Sequence, residues 1–194
     1  REPVVDIGLD ETMKKLTPER IEKTILKVLN EESAARLKVY VNTCVHCGLC
    51  SNACHWYNSH DGDPKYAPVS KVKDTIWEMI KKKGKVDADF IRRAARIAFT
   101  ECNVCRRCSM YCPFGIDLAY LLLTVRRICH LLGVVPQYLQ DTVNSHAATS
   151  NQMWVKPDEW IDTLQWQEEE MLDGVVGARI PLDREGADIM YSVI

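Results

Sequence analysis

The chain has 194 residues, a length typical of one domain or of one domain with an extension. Hydrophobic residues make up 46% and charged residues 27% of the sequence, which is ordinary globular composition and excludes wholesale disorder. The net charge is −2, but residues 150–194 hold 3 basic and 10 acidic residues. This acidic segment is interpreted either as a solvated face or as a partner surface. No basic and aromatic pattern indicates nucleic-acid binding.

Nothing in the first residues, 1–6, resembles an apolar signal core or a twin-arginine leader, which favours a cytoplasmic location. The longest apolar stretch, 119–125, is much shorter than the roughly 20 residues that a membrane-spanning helix needs. The sequence therefore predicts no transmembrane segment. Any association with a membrane would go through partner proteins.

The first strong helix signal follows Thr17, a good N-cap residue, with Pro18 suited to the first helical position. Apolar residues then recur at helical spacing, and they are Ile21, Ile25, Val28 and Leu29. The sequence predicts a helix that packs this face inward.

Eight of the nine cysteines form two runs with identical spacing, C-x2-C-x2-C-x3-C. The first run is Cys44, Cys47, Cys50 and Cys54, and the second is Cys102, Cys105, Cys108 and Cys112. Two copies of one pattern require a chemical reason. The candidates are a disulfide framework, zinc sites and a pair of [4Fe-4S] clusters.

Disulfides suit small secreted domains, whereas this chain shows no export signal and has enough apolar residues to form a core. A structural zinc site usually takes two C-x2-C pairs separated by a loop, not three closely spaced thiols followed by a fourth. A [4Fe-4S] cubane needs one thiolate on each of four irons, and a short loop can supply three of them. The spacing therefore favours two [4Fe-4S] clusters over the other two candidates.

The doubled spacing resembles that of bacterial two-cluster ferredoxins, in which the fourth cysteine of each run ligates the other cluster. The resemblance implies that Cys44, Cys47, Cys50 and Cys112 hold one cluster, and that Cys102, Cys105, Cys108 and Cys54 hold the other. Pro113 follows the second run as in the ferredoxin pattern, whereas His55 replaces proline after the first. His55 is interpreted either as a cover for the cluster or as a residue that tunes its potential. Arg106 and Arg107 are interpreted either as solvated side chains or as residues for cluster tuning or docking.

The 47 residues between the two runs are predicted to be helical. One helix has Ser70 as its expected N-cap and Gly84 as its stop, and a second is capped by Asp87 and ends near Phe99. The inward faces of these two helices are formed by Val72, Ile76, Met79 and Ile80, and by Phe90, Ile91, Ala94, Ile97 and Ala98. A compact ferredoxin would place short strands there instead.

After the second run, Asp117 is expected to cap a helix that ends at Gly133. Cys129 falls on its apolar stripe and is predicted to be a buried residue, not a cluster ligand. Near the C-terminus, a further helix is predicted from Pro157 to Leu172. Its tryptophans, together with Trp154, fit either a partner surface or a helix folded back on the domain.

The segments CVHCGLCSNACHWY and CNVCRRCSMYCPFGID, with the helical insert between them, resemble the helical dicluster ferredoxin module of the heterodisulfide reductase family. Related modules occur in glycolate oxidase iron-sulfur subunits and in membrane redox complexes of sulfate reducers, and the fold is similar to the helical ferredoxin domain of succinate dehydrogenase. The resemblance implies an all-α fold binding two [4Fe-4S] clusters. The expected organisation is an N-terminal extension over 1–35, the ferredoxin domain over 36–140 and an acidic extension over 141–194.

The resemblance implies an electron-transfer subunit of an oxidoreductase complex, with no catalytic site of its own in this chain. The expected partners are other redox subunits that carry a flavin, an iron-sulfur centre or a quinone site. The alternative is the ferredoxin portion of a catalytic subunit whose cysteine-rich CCG domains are missing here, since the sequence contains no adjacent cysteine pair.

Overall fold

The computed structural model describes residues 7–31, 34–177 and 179–189. Within these ranges all regular secondary structure is helical, and the predicted all-α fold class is confirmed. The chain divides into two compact units, of which the first extends to Gln137 and the second begins at Tyr138. All nine cysteines and the main hydrophobic core belong to the first unit.

The helices of this chain are short and are joined by tight loops. The α-helices up to Leu132 are α1 (Ile7–Lys14), α2 (Pro18–Leu29), α3 (Ala34–Thr43), α4 (His55–Asn58), α5 (Pro68–Val72), α6 (Glu78–Lys81), α7 (Ala88–Thr100), α8 (Arg107–Met110) and α9 (Leu118–Leu132). Short 3-10 helices span Leu49–Ala53 and Pro64–Tyr66, and a π-helix spans Lys73–Trp77. The C-terminal part contains α10 (Gln137–Thr149) and α11 (Pro157–Leu172).

Helix α2 begins as predicted, because the Thr17 hydroxyl accepts a hydrogen bond from the Arg20 N–H at 3.3 Å. Its four predicted inward residues are all buried. They belong to the same hydrophobic cluster as the helices that follow the cysteine runs. Helix α2 therefore completes the core that supports the two cysteine loops.

Helices α7 and α9 pack against each other in the centre of the first unit. Asp87 caps α7 by accepting from the Phe90 N–H at 2.7 Å, and Asp117 caps α9 by accepting from the Tyr120 N–H at 3.1 Å. Helix α9 ends at Leu132, and Gly133 is its C-cap with a φ of 79°, a conformation that favours glycine. The predicted caps and stop of these two helices are confirmed.

The helical segment 68–81 between the runs differs from the prediction at its start. It begins at Pro68 with Ala67 as N-cap, so the predicted N-cap at Ser70 is wrong. Proline at the first helical position needs no N–H partner there, and the helix starts three residues earlier than predicted. The middle of the segment is the π-helix, which separates α5 from α6.

In the second unit, α11 has the predicted bounds, and the backbone N–H of Lys156 donates to Glu159 Oε2 at 3.0 Å at its start. No residue of α11 is buried, and Trp160 and Trp166 are 40% and 59% exposed. Neither of these two tryptophans is therefore a core residue. The loop between α10 and α11 is held by buried Ser145, whose hydroxyl donates to the Asn151 carbonyl and accepts from the Trp154 N–H.

Across the described ranges, no single helix has both the length and the apolar composition needed to cross a bilayer. Helices α9 and α10 reach the required length and composition only when joined across the break between them.

Candidate metal centre

The two cysteine loops have the same backbone course. In the first loop, His46 and Gly48 have φ values of 55° and 79°. In the second loop, the residues at the same positions, Val104 and Arg106, have φ values of 59° and 64°. Each loop thus takes a left-handed conformation immediately before and immediately after the second cysteine of its run, Cys47 or Cys105. These two residues turn the chain around that cysteine.

Val104 is the most unusual of these four residues, since a β-branched side chain is rarely found at positive φ. Its backbone N–H donates to Cys102 Sγ at 3.4 Å. Strained backbone of this kind persists where the surrounding structure requires it, often at functional sites. Here the strain directs a backbone donor at a cysteine sulfur.

Two cavities of the first unit are each lined by four of the cysteines. The first cavity, of about 320 Å³, has Cys44, Cys47, Cys50 and Cys112 in its wall. The second cavity, of about 390 Å³, has Cys54, Cys102, Cys105 and Cys108 in its wall. Each therefore combines three cysteines of one run with the last cysteine of the other run.

The fourth cysteines reach the opposite cavities because the runs end next to each other. The 3-10 helix Leu49–Ala53 of the first run packs against α8 of the second. Cys54 directly follows the 3-10 helix, and Cys112 lies two residues after the end of α8. The first three cysteines of each run therefore line one cavity, while the fourth lines the cavity of the other run.

Segment 68–81 begins between the two cavities. Val69 lines the first cavity, whereas Pro68 and Lys71 line the second. Burial raises the pKa of Cys50, while a hydrogen bond from the Val69 backbone acts in the opposite direction. This N–H belongs to the first turn of the helix, where the backbone donors have no intrahelical acceptors and the dipole favours negative charge.

Burial also raises the pKa of two thiols of the second cavity. The pKa of Cys108 is raised to about 12, chiefly by loss of solvation and then by the charge of Cys102. The pKa of Cys102 is raised by burial, against the effects of the Val104 N–H and of the charges of Lys71 and Arg126. Four clustered thiolates are therefore unfavourable without a cation, and a bound metal cluster supplies that charge.

The donor set fits two [4Fe-4S] clusters. All nine cysteines are free thiols, and eight of them surround the two cavities in sets of four. In the described ranges, no three His, Cys, Asp or Glu side chains converge closely enough to hold a single metal ion. Thiolates are the ligands that such clusters take from proteins.

Asp117 ties the second loop to the helix behind it. Its Oδ1 accepts from Ser109 Oγ at 2.7 Å, and its Oδ2 pairs with the Arg106 guanidinium at 3.4 Å. The Ser109 hydroxyl in turn accepts from the Ala119 N–H at 3.3 Å. This network fixes the loop that carries Cys105 and Cys108, and it gives Arg106 a structural partner.

The two residues that follow the runs lie at different cavities. Pro113 lines the first cavity, and His55 is an exposed residue that lines the second. His55 also begins α4, a position that a proline would suit equally well. Its tuning role stays a prediction.

Cys129 lies in α9 with no exposed surface, as predicted for a core residue. Burial raises the pKa of its thiol to about 12, so it stays protonated at neutral pH. It lines neither cavity.

Sequence reasoning missed Lys71, a lysine with only 3% of its surface exposed that lines the second cavity. One signal was present, because Lys71 lies four residues before Thr75 and eight before Met79, on the buried face of the segment. A lysine in such a stripe is unusual unless it has a partner.

Comparison with known families matches residues 40–116 to the family described as the 4Fe-4S dicluster domain. This range contains both cysteine loops, the helices between them and all eight cysteines that line the two cavities. The predicted pair of [4Fe-4S] clusters is thereby confirmed as the cofactor of this domain.

Two curated relatives match nearly the whole chain. The Hdr-like menaquinol oxidoreductase iron-sulfur subunit 2 of Archaeoglobus fulgidus is 26% identical over 200 residues, which cover 96% of this chain and 35% of that protein. The Hdr-like menaquinol oxidoreductase iron-sulfur subunit of Archaeoglobus profundus is 25% identical over 191 residues, which cover 90% of this chain and 34% of that protein. No solved structure matches significantly.

The chain spans about a third of the length of these relatives. The resemblance to the heterodisulfide reductase family is confirmed by their names and by the dicluster match. Residues 40–116 thus match the 4Fe-4S dicluster domain, and the chain is similar to the iron-sulfur subunits of Hdr-like menaquinol oxidoreductases.

Proposed function

We propose that this chain is an electron-transfer component of a multisubunit oxidoreductase, which relays single electrons through two [4Fe-4S] clusters. The supporting observation is the pair of cavities, each lined by four cysteines. A [4Fe-4S] cluster accepts and releases one electron at a time. The residues of the chain bind the two clusters, hold them close together and limit the access of water.

The proposed ligands of the first cluster are Cys44, Cys47, Cys50 and Cys112, and those of the second are Cys54, Cys102, Cys105 and Cys108. The two cavities support this crossed assignment, since each is lined by the first three cysteines of one run and the fourth cysteine of the other. The charges of Cys44, Cys47 and Cys112 all act on Cys50, which supports the first of these ligand sets.

The proposed partners are other redox subunits, and a quinol-linked protein is the first candidate because both relatives are named menaquinol oxidoreductase subunits. Membrane association of this chain would go through such a partner. The alternative, the ferredoxin portion of a catalytic subunit, is not favoured, since both relatives are named iron-sulfur subunits.

The first test measures iron and acid-labile sulfide per chain on anaerobically purified protein, with EPR after reduction by dithionite. We expect about eight iron and eight sulfide per chain, because two cubanes contain four of each. Stoichiometric zinc without iron would overturn the proposal.

Single serine variants test the crossed ligand sets. We expect Cys112→Ser to alter the same EPR signal as Cys47→Ser, and Cys54→Ser to alter the same signal as Cys105→Ser. Cys129→Ala is the matched control and should leave both signals unchanged, since this cysteine lines neither cavity. If Cys112→Ser instead alters the Cys105 signal, each run holds its own cluster and the crossed assignment fails.

A further inference from the structure

The two cavities differ in the charges around them. Apart from its cysteines and His46, the first cavity is lined by apolar residues and glycine, with no lysine, arginine or carboxylate in its wall. The wall of the second cavity contains Lys71, Arg106, Arg107 and Glu101. Net charge near a cluster is one of the factors that set its reduction potential.

Lys71 is the most effective of these cations, because it is buried and poorly screened by water. Its Nζ donates to the Glu101 carbonyl oxygen at 2.5 Å and lies 5.8 Å from the centre of the Trp56 ring. These contacts hold the ammonium inside the protein. They are to a backbone oxygen and to an aromatic ring, so neither neutralises the charge.

Arg126 adds a second cation beside the same loop. Its guanidinium donates to the carbonyls of Ala98 and Cys102 at 2.8 and 2.5 Å and stacks on Phe99 at 5.2 Å. Arginine keeps its charge at all relevant pH values. The charges of both Lys71 and Arg126 act on the Cys102 sulfur.

The other charged groups do not cancel this difference. The buried carboxylate of Glu101 is opposed by Arg96, at 3.7 Å, and Arg106 is paired with Asp117. Near the first cavity, Lys73 lies in a neighbouring groove with Cys44, but it is exposed and therefore screened. Positive charge that is out of reach of water is thus concentrated at the second cavity.

Hydrogen bonds to the cysteine sulfurs do not oppose this difference in charge between the two cavities. Each cavity receives a backbone N–H at one buried or half-buried sulfur, from Val69 in the first and from Val104 in the second. Each also has one exposed cysteine, Cys47 or Cys105. The second cavity also has the Ser109 hydroxyl beside Cys108, where it opposes the rise of the thiol pKa, so hydrogen bonding acts in the same direction as the cations.

We propose that buried Lys71 and half-buried Arg126 raise the reduction potential at the second cavity above that at the first, so that electrons enter at the first cavity and leave from the second. This inference rests on the proposed two-cluster function. A one-electron donor protein would transfer its electron at the first cavity, and a one-electron acceptor protein would receive it from the second. One electron enters for each that leaves, and no bond is made or broken.

The test is a potentiometric titration of the full chain followed by EPR, with the two signals assigned through the Cys47→Ser and Cys105→Ser variants. In the unmodified protein we expect the centre at the second cavity to be reduced first. Lys71→Met should lower the reduction equilibrium constant of that centre about tenfold or more, which is about 59 mV for a one-electron couple. Lys71→Arg, which keeps the charge, should restore most of the potential.

Lys73→Met is the matched control, because it removes the same charge from an exposed position beside the first cavity. We expect a change of less than threefold at either centre. An Arg126→Gln variant provides an independent measurement if Lys71→Met does not assemble, and it should lower the same potential.

The outcomes separate this inference from the proposed function. A chain that holds both clusters but whose first centre has the higher potential overturns the inference and leaves the relay standing. Equal shifts from Lys71→Met and Lys73→Met would also overturn it, since burial would then have no effect. A chain without iron overturns the proposed function itself.

Discussion

Cys129 and the eight cysteines of the two runs have the same functional group but different surroundings. Its thiol is buried in α9 among apolar residues, whereas Cys47 and Cys105 reach the surface of their loops. A thiolate is the reactive form of cysteine, and burial in apolar surroundings suppresses it. Reactivity toward external reagents should therefore follow position in the fold.

We expect iodoacetamide at pH 8 to leave Cys129 unmodified in the folded, cluster-loaded protein and to modify it after unfolding. Burial raises the pKa of this thiol to about 12, so the thiolate fraction is minute at pH 8. Peptide mass spectrometry after alkylation measures the outcome. Modification of Cys129 in the folded protein at the rate of an exposed thiol would contradict the burial.

The same pKa shift predicts a dependence of stability on pH. The thiol titrates near its ordinary value of 9.0 when unfolded and near 12 when folded, so the folded state retains the proton more strongly. Its contribution to the unfolding free energy is fully present below pH 9 and is lost as the pH rises toward 12. Thermal melts between pH 8 and 11 should show a loss that is smaller in Cys129→Ala, which lacks the titrating group.

Asp117 is the residue on which helix α9 and the second loop both depend. Asp117→Ala removes the N-cap acceptor and the partner of Ser109 and Arg106, and a lost cap costs about 1 kcal/mol. We expect a fall in melting temperature of about 2 to 4 °C for each kcal/mol in a chain of this size. Asp117→Asn keeps a capping oxygen and should recover most of the loss; an equal loss in both variants would show that the charge, not the cap, is what matters.

At the scale of elements, two glycines with the same backbone conformation have different surroundings. Gly48 and Gly84 have φ values of 79° and 81°. A Cβ at Gly48 would meet no atom within 4 Å, whereas one at Gly84 would lie 3.3 Å from the backbone oxygen of Glu22 in α2. Because Gly48 lines the first cavity, the two positions separate the cost of backbone strain from the cost of close packing against protein atoms only.

We expect Gly48→Ala to cost about 1 kcal/mol from the left-handed conformation alone, and Gly84→Ala to cost more. The difference arises because α2 must shift to admit the new methyl group at position 84. Thermal or denaturant unfolding of the two variants measures it. Equal losses of unfolding free energy in the two variants would mean that α2 can shift at this contact without cost.

The elements that the sequence predicted correctly are those with complete local signals. Helices α2, α7 and α9 have a capping side chain, a regular apolar face and, in α9, a terminal glycine. The start of segment 68–81 was mispredicted because Ser70 is a good capping residue, while the actual cap, Ala67, has no side-chain acceptor. The π-helix was not predicted either, because one wide turn leaves no local mark in the pattern of apolar residues.

At the scale of the molecule, spacing alone identified the cysteines, since cluster chemistry requires thiols close together in sequence. The cavity walls that surround them include Lys71, which is distant from both runs in sequence and reaches the site through the packing of segment 68–81. Arg126 likewise reaches the second loop from the middle of α9. Such contributions depend on tertiary contacts, so the pattern of a single helix could not reveal them.

The division into two units predicts the result of truncation. A chain ending at Gln137 retains all eight proposed ligands and the hydrophobic core. We expect it to bind about eight iron per chain, as the full chain should, while losing association with any partner subunit proposed above, since the acidic helix α11 is absent. Iron analysis and co-purification measure these two results, and loss of iron on truncation would contradict the independence of the first unit.

The π-helix of Lys73–Trp77 has a consequence for how insertions and deletions can accumulate in this chain. A wide turn of this kind accommodates one residue more than an ordinary α-helical turn, and each residue of an α-helix rotates the chain by about 100°. Removing one residue there would restore a regular helix and rotate Val69 and Lys71 relative to Ile76 and Met79. Either the contacts with the two cavities or the contacts with the core would then be lost, so the length of this segment should be among the most restricted in the molecule.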